Sequence, residues 1–217
     1  MKRLLIAIEG IDGAGKTTQT KILKKELEKR GYNVIRLSEP TKGKWGKKIK
    51  ELSTRGKTPS AKELFKLFFL DRKEDVNKNI IPALKKGQTV ILDRYYMSSV
   101  AYQGAGGLDP AFIESENEKI APKPDITVIL DLSPKIAVER IENRESKPDY
   151  FERLKFLTKV RSIFLERYAS RSNVLIVDST QRPDIVSNKI LETVLKVMHI
   201  KQHSTKFGDE KNNHGVE

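Results

Sequence analysis

Apolar residues along this chain follow two alternating rhythms. Short, nearly continuous runs at Arg3–Glu9, Asn33–Leu37, Thr89–Asp93, Ile126–Leu132 and Val174–Asp178 have the density of strands buried on both faces. Between them, apolar positions recur every three or four residues. Thr17–Arg30 sets Ile22, Leu23 and Leu27 on one face, opposite lysines and glutamates, and stops at Gly31, as an amphipathic helix with a glycine terminator does. Helices are likewise predicted around Lys62–Lys78, Pro134–Arg144, Tyr150–Ala169 and Asp184–Val197. Five strands alternating with helices predict an α/β fold with a doubly wound parallel sheet. No internal repeat or linker interrupts the pattern, so residues 1–200 read as one domain. Residues 201–217 are polar and aperiodic and are expected to form a disordered tail.

Composition narrows the classes of function. A chain of 217 residues with 37% hydrophobic content can bury a real core. Its formal charge of +13 suits a polyanionic partner: nucleic acid, an anionic membrane or nucleotide phosphates. No apolar run approaches the roughly 18 residues that span a bilayer, and MKRLLIAIEG turns polar too early for a signal peptide. A cytoplasmic protein with no membrane partner is expected. The absence of cysteine excludes disulfides, thiolate metal sites and cysteine nucleophiles.

The first chemical signal is EGIDGAGKTTQ, Glu9–Gln19. Gly10, Gly15, Lys16 and Thr17 satisfy G-x-x-x-x-G-K-[ST] in the required setting, after a strand and opening a helix. Such a loop, running through Gly13 and Ala14 to Thr18, curls backbone N–H groups around phosphate oxygens. Lys16 brings a point charge to the β- and γ-phosphates, and Thr17 offers a hydroxyl to Mg²⁺. Asp12 is the anomaly, an anion inside an anion-binding turn.

A nucleotide loop leaves three reaction classes: switch GTPase, nucleic-acid-dependent ATPase and small-acceptor kinase. No NKxD-like segment supports the first. For the second, the basic stretch KGKWGKKIKELSTRGK, Lys42–Lys57, offers lysines to phosphates and Trp45 to a base; the competing reading is a solvated amphipathic helix and loop. A kinase needs a second anion site, and VILDRYYMSSVAYQG, Val90–Gly104, provides one. Asp93 stands at the carboxyl end of a buried strand, where open α/β sheets bind ligands, and can hold Mg²⁺ through water. Arg94 at the rim can fork onto an acceptor phosphate and share charge that develops in transfer.

Together EGIDGAGKTTQ, the Glu39-Pro40-Thr41 turn, FFLDR ending at Arg72, DRYYMSSVAYQG and PKPDITVILDL resemble thymidylate kinase, a family of P-loop nucleoside monophosphate kinases that converts dTMP to dTDP with ATP. The likeness runs from about Lys2 to Val197. It implies five parallel strands in order 2-3-1-4-5, Mg²⁺-dependent transfer, a short mobile lid near residues 142–153 and a homodimer, with no obligatory nucleic acid. It also implies roles for single residues. Phe68 would stack on thymine and Arg72, four residues on, would bond its carbonyl edge. Glu39, Ser99 and Gln103 would line the same pocket, Arg94 would clamp the dTMP phosphate, and Tyr102 would pack where a ribose 2′-hydroxyl would go. Asp12 would accept a hydrogen bond from the 3′-hydroxyl; the alternative is a brace for the loop's own N–H groups. Acceptors such as dUMP remain open.

Two departures from the family pattern have consequences. Gly13 stands where some members carry an arginine that touches the γ-phosphate, so charge stabilisation is expected from the lid ENRESKPDYFER. Arg144 is the first choice there, with Arg140 just before it on ATP and Lys147 and Arg153 as further cations. Ser38 stands where many members have arginine, leaving one phosphate contact unassigned and expected from the lysines that follow. Ser179–Arg182, after the last strand, is where adenine is expected. His199, His203 and His214 are assigned no role.

Overall fold

The computed structural model describes residues 3–54, 59–142 and 150–209. In chain order the elements are β1 Leu5–Glu9, α1 Lys16–Glu28, β2 Val34–Ser38, α2 Lys44–Thr54, α3 Ala61–Asp75, α4 Ile81–Lys85, β3 Thr89–Asp93, α5 Tyr96–Ala105, α6 Pro110–Glu118, β4 Ile126–Asp131, α7 Pro134–Glu142, α8 Tyr150–Tyr168, β5 Val174–Asp178 and α9 Pro183–Asp209. The strands form one parallel sheet in the expected order, β2-β3-β1-β4-β5. Every residue of β1 and β3 is buried, which explains why these strands read as unbroken apolar runs: helices cover both faces. Each such aliphatic side chain contributes roughly 1.5–3 kcal/mol by leaving water.

Register fixes where chemistry collects. Ile8 pairs with Asp93 and Ser38 with Asp93, so the carboxyl ends of β1, β2 and β3 converge on the turn that follows Glu9. This is the edge at which open α/β sheets bind ligands.

Several elements depart from the periodicity. The helix expected at Lys62–Lys78 starts at a capping box, Ser60 with Glu63, and passes at Asp75 into a five-residue π-turn, Val76–Ile80. Pro82, which has no amide proton, opens α4 behind it. α5 is buried at Tyr96–Ala101 and again at Gln103, so it lacks the polar face by which helices are read. α9 continues through Asp209, past Val197 where its apolar period fades, because backbone hydrogen bonding propagates a helix into polar sequence. Residues 210–217 of the expected tail, and the lid between its two ends, lie outside the described residues. Among the described residues no helix is long and apolar enough to cross a membrane.

Candidate active site

The loop between β1 and α1 is shaped by close approach. At Gly10, φ is +135° and an added Cβ would lie 2.5 Å from the Leu130 carbonyl oxygen; at Gly13, φ is +80° and a Cβ would lie 3.0 Å from the Ala137 oxygen. Both positions need glycine, for conformation and for space. An arginine at position 13 does not fit this backbone, which gives the departure at Gly13 a physical reason. Ala14 is buried beneath the turn. Lys16, 7% exposed, donates to the Ile11 carbonyl at 2.7 Å. Burial, reinforced by Arg94, lowers its pKa to about 7 against the attraction of Asp12, Asp93 and Glu9. A cavity of about 470 Å³ opens over the loop, lined by Gly13, Gly15, Lys16, Thr17, Thr18 and Asp93 among others.

Thr17 and Asp93 meet there: the Thr17 hydroxyl donates to Asp93 Oδ2 at 2.7 Å. Arg36, from the middle of β2, donates to the same oxygen at 2.6 Å and, through Nε, to Thr20 Oγ1 at 2.7 Å. Arg36 and Ser38 both line the cavity, so a cation enters from two residues earlier than the position where the family pattern has its arginine. Sequence reading missed Arg36 because a mid-strand arginine carries no motif. No group of three or more His, Cys, Asp or Glu among the described residues could hold a metal unaided. Two oxygen ligands beside a phosphate cradle are instead the donor set that suits Mg²⁺, which takes its remaining ligands from phosphate and water.

A second cavity, about 660 Å³, adjoins the first, and both are bordered by Asp12, Glu39 and Arg94. The Arg94 guanidinium donates to Asp12, and Asp12 also accepts from the Tyr102 hydroxyl at 2.9 Å, which in turn accepts from the Asp12 amide at 2.9 Å. Asp12 therefore points out of the phosphate cradle, and its carboxylate is partnered by Arg94 and Tyr102 rather than by the loop's own amides. Burial opposes its ionisation, but Arg94, Lys16 and the Tyr102 hydroxyl outweigh it and hold the pKa below the usual value. Behind Arg94 stands Glu9, fully buried, which accepts from the amides of Tyr95 (2.9 Å) and Ser98 (3.2 Å) and from the Ser98 hydroxyl.

The floor of the second cavity is an ion pair out of reach of water. Arg72, 1% exposed, donates to Glu39 through Nε and Nη2, to Ser99 Oγ at 3.1 Å and to Asn117 Oδ1 at 2.5 Å. Burial raises the Glu39 carboxyl; Arg72 beside it is what keeps an acid tolerable there. Half-buried Phe68 lines one wall, Ser99, Tyr102 and Gln103 another, and the Glu39–Pro40 peptide is cis. Gln103 is 4% exposed and its Oε1 has no partner among the described residues. All eight residues expected around an acceptor nucleotide thus border one space.

The thymidylate kinase family model matches residues 8–190. A protein of Archaeoglobus fulgidus named "Probable thymidylate kinase" is 43% identical over 201 residues, 93% of this chain and 100% of that protein. This chain belongs to the thymidylate kinase family. Thymidylate kinases of Akkermansia muciniphila (45% over 168 residues, 77% of this chain and 81% of that protein) and Xylella fastidiosa (38% over 198 residues, 91% and 93%) are similar along most of their length. The family's reaction is phosphorylation of dTMP with ATP, and the chain is accordingly a kinase.

In this chain, α7 and α8 bring basic residues to the donor side. Arg140 reaches the Gly13 carbonyl at 3.2 Å and the Ser179 carbonyl at 3.4 Å, tying the phosphate loop to the segment expected near adenine. Arg153 lines a space with Asp12, Gly13, Tyr102 and Phe156, and its Nη1 is buried without a hydrogen-bond partner among the described residues. Arg144 and Lys147 lie outside the described residues. Glu9, Arg36, Ser98 and Asn117 are the site residues that sequence reading did not select.

Proposed function

We propose that the chain transfers the γ-phosphoryl group of ATP to dTMP across the junction where its two cavities meet. The observation that carries this reading is the Asp12–Arg94 pair, which borders both the phosphate cradle and the pocket beside Phe68 and Arg72. In the loose transition state of phosphoryl transfer, positioning and charge neutralisation dominate and no strong base is needed. The loop from Gly10 through Thr18 holds the triphosphate, and Lys16 neutralises its β- and γ-oxygens. Arg94 takes the acceptor phosphate, and Asp12, freed from part of its pairing, accepts from the 3′-hydroxyl. Tyr102 excludes a 2′-hydroxyl. Phe68 stacks on the base, and Arg72, Ser99 and Gln103 face its polar edge over Glu39. Thr17 and Asp93 would hold Mg²⁺, which when bound neutralises charge on the phosphates.

The lid cations complete the charge. Arg144 is kept as the catalytic candidate from sequence, and Arg140 as an ATP contact. The unpartnered Nη1 of Arg153 beside Gly13 supports that residue as a further cation for the donor phosphates. A homodimer is the proposed assembly, supported by the aromatic cluster of Phe65, Phe69 and Phe112, the last 49% exposed; Phe112→Glu should shift sedimentation from dimer to monomer. The working compartment is the cytoplasm. The decisive test is ADP release with a panel of monophosphates, including dTMP and dUMP, and with single-stranded DNA. dTMP should be the preferred acceptor; turnover stimulated by DNA alone would overturn the reading.

A further inference from the structure

Arg94 holds an unusual backbone. Its φ is +73°, a left-handed conformation that a residue with a side chain keeps only where surroundings enforce it. Its amide bonds the Ile8 carbonyl at 3.1 Å, extending the β1–β3 ladder by one residue before the chain turns into α5. The first amides of α5 have no cap of their own, since Tyr95 at its amino terminus makes no side-chain capping bond. Among them the Ser98 amide bonds Glu9 of β1, 89 residues away, which also takes the amide of Tyr95 just before the helix.

Glu9 does more than close a helix end. Its second oxygen accepts the Ser98 hydroxyl proton, which orients Ser98 Oγ so that a lone pair faces Arg94 Nη1 at 3.1 Å. Nη1 is also 3.5 Å from the Gly10 carbonyl, and Nη2 is left for Asp12. A fully buried carboxylate is costly unless every lone pair is engaged, and Glu9 is engaged on both oxygens by the segment that carries Arg94. We propose that Glu9 and Ser98 are positioning residues for the acceptor phosphate: Glu9 fixes the backbone after Arg94 and the Ser98 rotamer, and Ser98 fixes the guanidinium. The relay joins the residue that precedes the phosphate loop to the arginine assigned above to dTMP, and it rests on that assignment. It would keep the two phosphate sites in register, since Gly10 and Arg94 are both anchored to Glu9 or its neighbours.

The test compares binding of dTMP with binding of thymidine, which differ only by the phosphate. Calorimetric titration of the full chain gives each Kd for wild type, Ser98→Ala, Glu9→Gln, Arg94→Ala and Ser98→Ala/Arg94→Ala, with thermal unfolding to confirm folding. Ser98→Ala should lower the preference for dTMP over thymidine about tenfold, the loss typical of a bond to a charged group, while thymidine and ATP affinities stay within about twofold. Glu9→Gln, which keeps the volume but turns an accepting oxygen into an N–H donor, should shift the same ratio. In the Arg94→Ala background, Ser98→Ala should add nothing. Thymidine and dTMP weakening in parallel, or additive losses in the double variant, would make Ser98 a structural brace and overturn the relay. An unchanged ratio in Arg94→Ala would instead refute the assignment of Arg94, whereas a reduced ratio there with a wild-type ratio in Ser98→Ala refutes the relay alone. If Glu9→Gln fails to fold, Ser98→Ala decides.

Discussion

Nucleotide binding should draw a proton from solution through Lys16. In the free chain this amine is buried, bonded to the Ile11 carbonyl, and lowered to about 7. At pH 8 the neutral amine therefore predominates. A triphosphate brings several negative charges against Nζ, which raises the pKa of the bound state and restores the ammonium. Binding at pH 8 should then take up a proton, up to about one per site. Because the bound pKa lies above the free one, the Lys16 contribution to affinity is complete below about pH 7. It falls as pH rises, by at most about tenfold per unit, until the bound pKa is passed. The terminal phosphate does not blur this, since its own last ionisation, near about 6, is finished at pH 8. Calorimetric titration of ATP, with no acceptor present, in two buffers of different ionisation enthalpy counts the protons directly, and Lys16→Met should abolish the uptake. Zero exchange at pH 8, or equal uptake in wild type and Lys16→Met, would refute the argument.

Three further outcomes are expected. Asp12→Asn should raise KM for dTMP about tenfold, the scale of one bond involving a charged partner, with KM for ATP within about twofold; parallel rises would return Asp12 to the role of loop brace. Gly13→Ala meets both the left-handed φ and the Ala137 carbonyl, so thermal unfolding should report a loss of about 1–3 kcal/mol together with weaker nucleotide binding, and an unchanged Tm would show that the loop yields freely. Arg36→Met removes the guanidinium that holds Asp93 against Thr17 and should lower kcat about tenfold while leaving KM for dTMP nearly unchanged; wild-type kcat would reduce Arg36 to a structural brace.

What the sequence made legible has a physical pattern. β1, β3 and β4 were readable because strands covered on both faces leave nearly unbroken apolar runs, and the phosphate loop because its glycines, lysine and threonine are fixed by local backbone geometry. α5 was not, because a helix enclosed on almost all sides has no polar stripe, and its buried serines break the apolar run. Glu9 and Ser98 escaped for a different reason: their partners lie 86 to 89 residues apart, and no local pattern encodes such a meeting. The buried ion pair of Arg72 with Glu39 is of the same kind, since both residues were selected for a ligand while their contact with each other stayed invisible. Arg36 shows the limit from the other side. The vacancy at Ser38 was apparent, yet only strand geometry reveals which neighbouring side chain reaches into it.

Arg72 has five N–H groups, and the fold has already committed four. One goes from Nε to Glu39, two from Nη2 to Glu39 and Ser99, and one from Nη1 to Asn117, which leaves a single Nη1 hydrogen without a partner among the described residues. On the proposed assignment, that hydrogen is the whole of what this arginine can say to a base. A carbonyl in front of it is answered, whereas the amino group of cytosine would set donor against donor where water cannot intervene. Acceptor choice at this edge would then be an act of refusal, with thymine and uracil admitted alike and cytosine turned away.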